Sequence, residues 1–313
     1  MVFATFLVSA LLGAGQPQTP PPAQQTPPAG AEQDASQATD LGTIVVEGSL
    51  ESRVDRFVSE VAAAPPGARL ARWDDQICVG VVNLNNRYAQ FMIDRVAQHA
   101  VDVGLDIGEP GCKPNVMIVA TNDASGMATR LVDNNPDGFR PALSSTDLGS
   151  AALERFKTTE APVRWWHVSL PVSVDTGEVA VQLKGEDGPP TVHVRDVSRL
   201  RSNIREDLAR IIIILDVTKV GEISFGALSD YVAMIALAQI DPSAQTSDYQ
   251  SILNLFSERS PEAAMTDWDK TYLTSLYATR RDRARASQQA REIGDAMTRA
   301  QRTESDMPTP NGD

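Results

Sequence analysis

Three histidines, His99, His167 and His193, occur in the 313-residue chain, and no two fall within one helical turn. A helix-borne zinc site needs a pair at i and i+4, so that site cannot form. His99 stands one turn from Arg95 and Asp102, a spacing that predicts a solvated polar helix face. His167 and His193 fall in strand-like segments and could be facing neighbours, which with an acid would make a zinc set. Asp133-Asn134-Asn135-Pro136-Asp137-Gly138 places oxygen ligands at positions one, three and five of a calcium loop, with glycine at six. The twelfth position is Ser144, where that loop needs a bidentate glutamate, and a polar exit from a helix accounts for the same residues. There is no G-x-S-x-G elbow, Walker loop or Rossmann fingerprint, and no spacing nominates a Ser-His-Asp triad. The chain therefore nominates no catalytic residue, no metal and no cofactor.

Cys78 and Cys112 are the only two cysteines. They lack the C-x-x-C spacing of a redox or zinc site. Segments 73–82, 87–103 and 116–120 read as strand, helix and strand. A right-handed crossover would put Cys78 and Cys112 near one end of the sheet, within reach of a disulfide. Such a bridge persists in an oxidising compartment. Residues 1–15 read as a signal peptide, with an apolar run too short for a stable membrane span and a small-x-small site at Gly13 and Gly15. Residues 16–42 read as a disordered Pro/Gln-rich linker. The folded part is then expected to be periplasmic or secreted, with no stable membrane span once the leader is cleaved.

The net charge is −13, and no charged side chain precedes Glu32. An acidic domain repels phosphate backbones, which argues against nucleic acid. With 42% apolar residues there is material for a core. Residues 43–48 read as a first strand, or as a strand offered to a partner's sheet edge. Helical spacing covers 52–63, 127–132 and 147–156. Strands 163–174, 179–183 and 191–194 are expected to form a mostly antiparallel set. A buried strand follows at 208–217, then helices at 224–239, capped by Ser224, and at 266–279, capped by Thr266. In Trp165-Trp166 one ring should face each side of a strand, one in the core and the other under a helix or at a contact surface. The expected fold is a single α+β domain over 43–279, with a mixed sheet, a βαβ unit and flanking helices. Residues 280–313 are expected to be a polar helical tail, frayed at the end.

Four stretches carry a family likeness: Arg72-Trp73; Gly111-Cys112-Lys113-Pro114-Asn115; Ser251-Ile252-Leu253-Asn254; and Thr266-Asp267-Trp268-Asp269 leading to Leu276-Tyr277. On these the chain resembles a zincin-like family of uncharacterised exported bacterial proteins. The resemblance implies a zincin-like core with its active helix at 224–239. Aligned on Leu228, Tyr231, Val232 and Ile235, that helix offers Ser229, Asp230 and Ala233 where a zincin has His, Glu and His. Asp230 alone echoes the general base, and without a metal it has no water to activate. The resemblance thus implies a degenerate protease-like scaffold that binds an envelope protein or peptide, with Ser229, Asp230, Trp166 and Asn254 as the expected binding surface. A peptidase-like hydrolase with another active site, or a structural envelope subunit docking through its tail, are the rival readings.

Overall fold

The computed structural model describes residues 49–65, 67–141, 146–181, 191–195, 200–257 and 263–305. The strand expected at 43–48 and Ser144 lie outside them. Ser49 caps α1 (Leu50–Val61), which buries Val54, Phe57, Val58 and Val61 along one stripe. The strand expected over 73–82 is broken at Cys78. Its first piece, β1 (Gln76–Ile77), pairs with β3 (Asp106–Ile107), and its second, β2 (Val79–Val82), pairs in parallel with β4 (Val116–Thr121). The break is made by Asn115, 37 residues on. The Cys78 N–H donates to Asn115 Oδ1 at 2.7 Å, while its carbonyl accepts from the N–H groups of Asn115 and Val116 at 3.0 and 3.1 Å.

The crossover from β2 to β4 runs through α2 (Asn86–Asp102), which Asn85 caps. Cys78 and Cys112 are joined in a disulfide with their Cα atoms 6.1 Å apart. The surrounding residues fit that bridge closely: a Cβ on Gly108 would lie 2.6 Å from Cys112 Sγ, and one on Gly80 would lie 2.7 Å from Pro114 Cγ. Gly111, at φ +89°, makes the turn that brings Cys112 round.

The main sheet runs β2-β4-β6-β5. β6 (Ile204–Asp216) lies parallel to β4 and antiparallel to β5 (Val163–Ser173), so the sheet is mixed. Among the described residues, the antiparallel set expected over 163–194 is limited to β5 and two further contacts. Val172–Val179 and Val181–Thr191 make isolated bridges, and 182–190 lie outside the described residues. Ile211 and Ile213 face the larger core; Ile212 and Ile214 face a smaller one under α3 (Ala124–Asn134) and α5 (Ser150–Thr158). Continuous burial on both faces explains the unbroken isoleucine run. Residues 133–138 form the end of α3 and the start of α4 (Pro136–Phe139), with Pro136 at its first turn and Asn135 Oδ1 accepting from the Gly138 N–H at 3.1 Å. Asn135 thus serves as a helix cap, the polar helix exit that accounts for these residues.

α6 (Phe225–Leu237) is buried from Ala227 to Leu237. Helix ends leave carbonyls without partners. Here His167 Nε2 donates to Ile235 O at 2.9 Å, Trp73 Nε1 to Ala236 O at 2.8 Å and the Tyr277 hydroxyl to Leu237 O at 2.8 Å. A 3-10 turn (Ile252–Asn254) and α7 (Asp267–Ala278) follow, the latter opened by a capping box between Thr266 and Asp269. The polar segment expected as a tail forms α8 (Ala286–Ser305), which packs on α1 and α7. Its Gln289, Ile293 and Met297, spaced four apart, are buried, and Gln289 bridges both backbone groups of Leu70 at 2.9 and 3.1 Å. The core therefore extends past residue 279. Among the described residues no helix is long and apolar enough to cross a membrane.

Candidate functional site

The four residues expected to form a binding surface, Ser229, Asp230, Trp166 and Asn254, are all buried. Ser229 Oγ donates to Phe225 O within its own helix at 2.7 Å. Asp230 accepts from Arg95 Nε and Nη2 at 2.5 and 2.9 Å, from His99 Nε2 at 2.9 Å and from the Met265 N–H at 2.9 Å. Burial pushes the Asp230 carboxyl upward, but the hydrogen bonds from His99, Arg95 and Met265 outweigh it and hold the group well below the ordinary carboxylate range. An acid this committed and this weakly basic is no general base. His99 is therefore not on a solvated face; it is 7% exposed and turned into the core by Asp230, a partner 131 residues away. His167 and His193 do not meet. His167 faces Ile211 across the sheet and caps α6, whereas His193 is exposed. Burial pushes the His167 imidazole down to about 4, so it is neutral at pH 7. Among the described residues no cluster of three His, Cys, Asp or Glu could hold a metal.

Trp166 and Asn254 do meet at one place, the lining of a cleft of about 700 Å³. That volume is typical of ligand clefts, roughly 300–1,000 Å³. One wall is α5 with Leu148; the other is Tyr231 of α6 and the segment 239–257. Asn254 builds the second wall from within: its Oδ1 accepts from Thr246 Oγ1 at 2.7 Å, and its Nδ2 donates to the carbonyls of Thr246 and Tyr249 at 2.9 and 2.7 Å. Asp269 ties that wall to α7, accepting from Ser251 Oγ at 2.6 Å and the Ile252 N–H at 2.7 Å. The Trp166 ring is held by Phe139 O (Nε1 to O, 2.8 Å) and Trp165 by Ile240 O (2.9 Å).

Between the walls runs the outer edge of β5. The Asp216 N–H donates to Pro162 O at 2.9 Å, so Pro162, Arg164, Trp166 and Val168 address β6. The alternation of an antiparallel ladder turns the N–H and C=O groups of Val163, Trp165 and His167 outward. Among the described residues none of these backbone groups has a partner. Beyond them the edge is closed by the chain itself: the Ser169 N–H donates to Thr146 O at 3.0 Å, and Pro171 O accepts from the Ala180 N–H at 2.8 Å. The stretch without outer partners among the described residues spans five residues, about 16 Å at the rise of a strand, and it lies deep in the cleft, with Val163 2% and Trp165 6% exposed. It carries no lysine, internal proline or bulge, but the buried Arg164 is an inward-pointing charge, one of the protections of a sheet edge. Sequence reasoning did not find this edge. Pro171 inside β5, whose missing N–H falls on the outer side, is a local hint of a boundary strand, but it does not mark the stretch Val163–His167.

Glu206 on β6, paired in register with Pro171, is another buried acid. Its Oε2 has no hydrogen-bond partner, and burial, opposed by the nearby Arg69 guanidinium, pushes the carboxyl up from 4.5 to about 7. Between these values the native state holds a proton that the unfolded chain has lost, so this group's stabilising contribution is complete below pH 4.5 and disappears by pH 7. Glu206→Gln mimics the protonated acid. Relative to the natural protein it should gain stability as pH rises through that window, on the order of 1 kcal/mol per pH unit, in urea midpoints measured from pH 4.5 to 8. Taking the difference between the two proteins removes His167, whose depressed pKa acts with the opposite sign. A difference that does not change with pH would contradict the assignment.

Compared with known proteins, the chain matches no family model, no curated protein and no solved structure.

Proposed function

We propose that the protein is an exported, non-catalytic binding protein on a degenerate protease-like scaffold, and that its cleft holds an extended peptide or a segment of another envelope protein. The observation that carries this reading is the β5 stretch at the floor of a ready-made cleft, whose outer backbone groups have no partner among the described residues: unpaired edge groups recruit an added strand. The Cys78–Cys112 disulfide supports export, since such bridges belong to oxidising compartments. The helix that would bear a protease's metal ligands has Ser229, Asp230 and Ala233 at those places, all engaged in packing or internal bonds. The hydrolase reading is weaker because, among the described lining residues, no hydroxyl is hydrogen-bonded to an imidazole. Docking through the tail is weaker because Gln289, Ile293 and Met297 of α8 already face the protein's own core.

Fluorescein-labelled pentapeptides of alternating valine and threonine test the strand reading. Saturable binding is expected, and methylating the peptide nitrogens that would face β5 should weaken it by about tenfold or more, since each lost ladder bond leaves a buried acceptor unpaired. Equal binding of methylated and unmethylated peptides would rule out strand addition.

A further inference from the structure

The two walls of the cleft differ in charge, and this bears on what the cleft selects. Arg155, exposed on α5, forms no ion pair among the described residues. Of the other charges in the lining, Asp147 and Arg164 are engaged, while Asp241 bonds to neutral groups and leaves an acid on the facing wall. Asp147 takes Arg140 at 3.2 Å, Asp241 Oδ1 accepts from the N–H and hydroxyl of Ser243 at 2.8 and 2.6 Å, and Arg164 donates to the carbonyls of Phe156 and Lys157 at 3.2 and 2.9 Å. The facing wall presents Tyr231 and Phe256, whose rings meet edge-to-face at 5.0 Å, together with half-buried Leu253.

β5 itself shows how a neighbouring strand would divide its side chains. Val163 and Trp165 pack toward the α6 side, Trp166 and Val168 toward the α3 and α5 side. A strand added in register continues that alternation. Resting on the strand reading above, we infer that the cleft selects an amphipathic strand in which an acidic residue facing Arg155 is flanked by apolar residues facing Tyr231, Leu253 and Phe256. In a chain of net charge −13, a cation with no ion-pair partner among the described residues on one wall, and Asp241 on the other, are a means of choosing among ligands by where they carry charge.

Three amidated, acetylated pentapeptides decide the matter: Val-Glu-Val-Glu-Val, Val-Lys-Val-Lys-Val and Val-Thr-Val-Thr-Val, measured by fluorescence anisotropy at low and high salt. The glutamate peptide should bind the natural protein about tenfold more tightly than the lysine peptide, with the gap narrowing in salt. Arg155→Glu should reverse that order and Arg155→Gln should abolish it, with the threonine peptide changing by less than about twofold in either. Equal binding of the glutamate and lysine peptides, or a preference that survives both substitutions, would overturn the charge selection while leaving the strand reading in place. If none of the three peptides binds, the strand reading fails and this inference fails with it.

Discussion

Replacing both bridged cysteines, Cys78→Ser together with Cys112→Ser, is expected to lower the stability of the protein by about 4 kcal/mol. The bridge spans a sequence separation of 34, and releasing a loop of that length restores conformational freedom to the unfolded chain. The loss should show as a lower urea midpoint, with a slope that rises somewhat because the unfolded chain without the cross-link exposes more surface. Native structure should also suffer locally, because the bridge seats the turn at Gly111 and the Asn115 clamp on Gln76 and Cys78. Reducing the natural protein should reproduce most of the effect. A change below about 1 kcal/mol would mean that the Asn115 hydrogen bonds hold the crossover without the bridge.

Removing the Asp230 carboxylate should be nearly as costly. Asp230→Ala leaves the buried His99 ring, the Met265 N–H and the Arg95 guanidinium without their common acceptor. Breaking a buried ion pair from one side costs about 3–5 kcal/mol. The lower end is expected here, since the Arg95 side chain is 41% exposed and can turn to water. Arg95→Gln should accordingly cost much less. If Asp230→Ala were neutral by chemical denaturation, Asp230 would have to be regarded as available for a functional role. The dependence on pH provides a second readout. Since the native carboxyl titrates below its ordinary value, its contribution is intact above pH 3.8 and is lost as pH falls below it.

Some of this architecture is legible in local sequence and some is not, and the division follows the range of the interactions. The helix at 224–239 is readable because Ser224 caps it and apolar residues dominate it on both sides of Ser229-Asp230. The crossover between the cysteines is readable from two apolar strands around an amphipathic helix. The break at Cys78 is not, because the group that makes it, Asn115, is 37 residues away. His99 looks solvated for the same reason: its neighbours in sequence are polar, and the acid that draws it inward lies on another helix. In α8 the stripe consists of two apolar side chains and a glutamine, too narrow for hydropathy alone to reveal.

The cleft is the least legible feature. Trp166 and Asn254 both line it, but nothing local says that they meet, since one belongs to a strand and the other to a turn nearly ninety residues on. Whether an edge is open depends on which strand ends up outermost, and that is settled by the pairing of β6 with β4 and β5 together. Arg155 likewise reads as one more surface charge until Asp147 and Arg164 are seen to be occupied.

The paired indoles on β5 also give the protein a built-in optical gauge. Trp165 and Trp166 sit at the cleft floor with their N–H groups already committed to Ile240 and Phe139, while Trp73 and Trp268 lie in the interior away from it. Because neither cleft indole has a hydrogen bond left to donate, a change in their emission would report a change in the polarity around the rings. Arrival of an occupant at the edge can therefore be followed in unlabelled protein, and Trp166→Phe would separate the contribution of one face from that of the other.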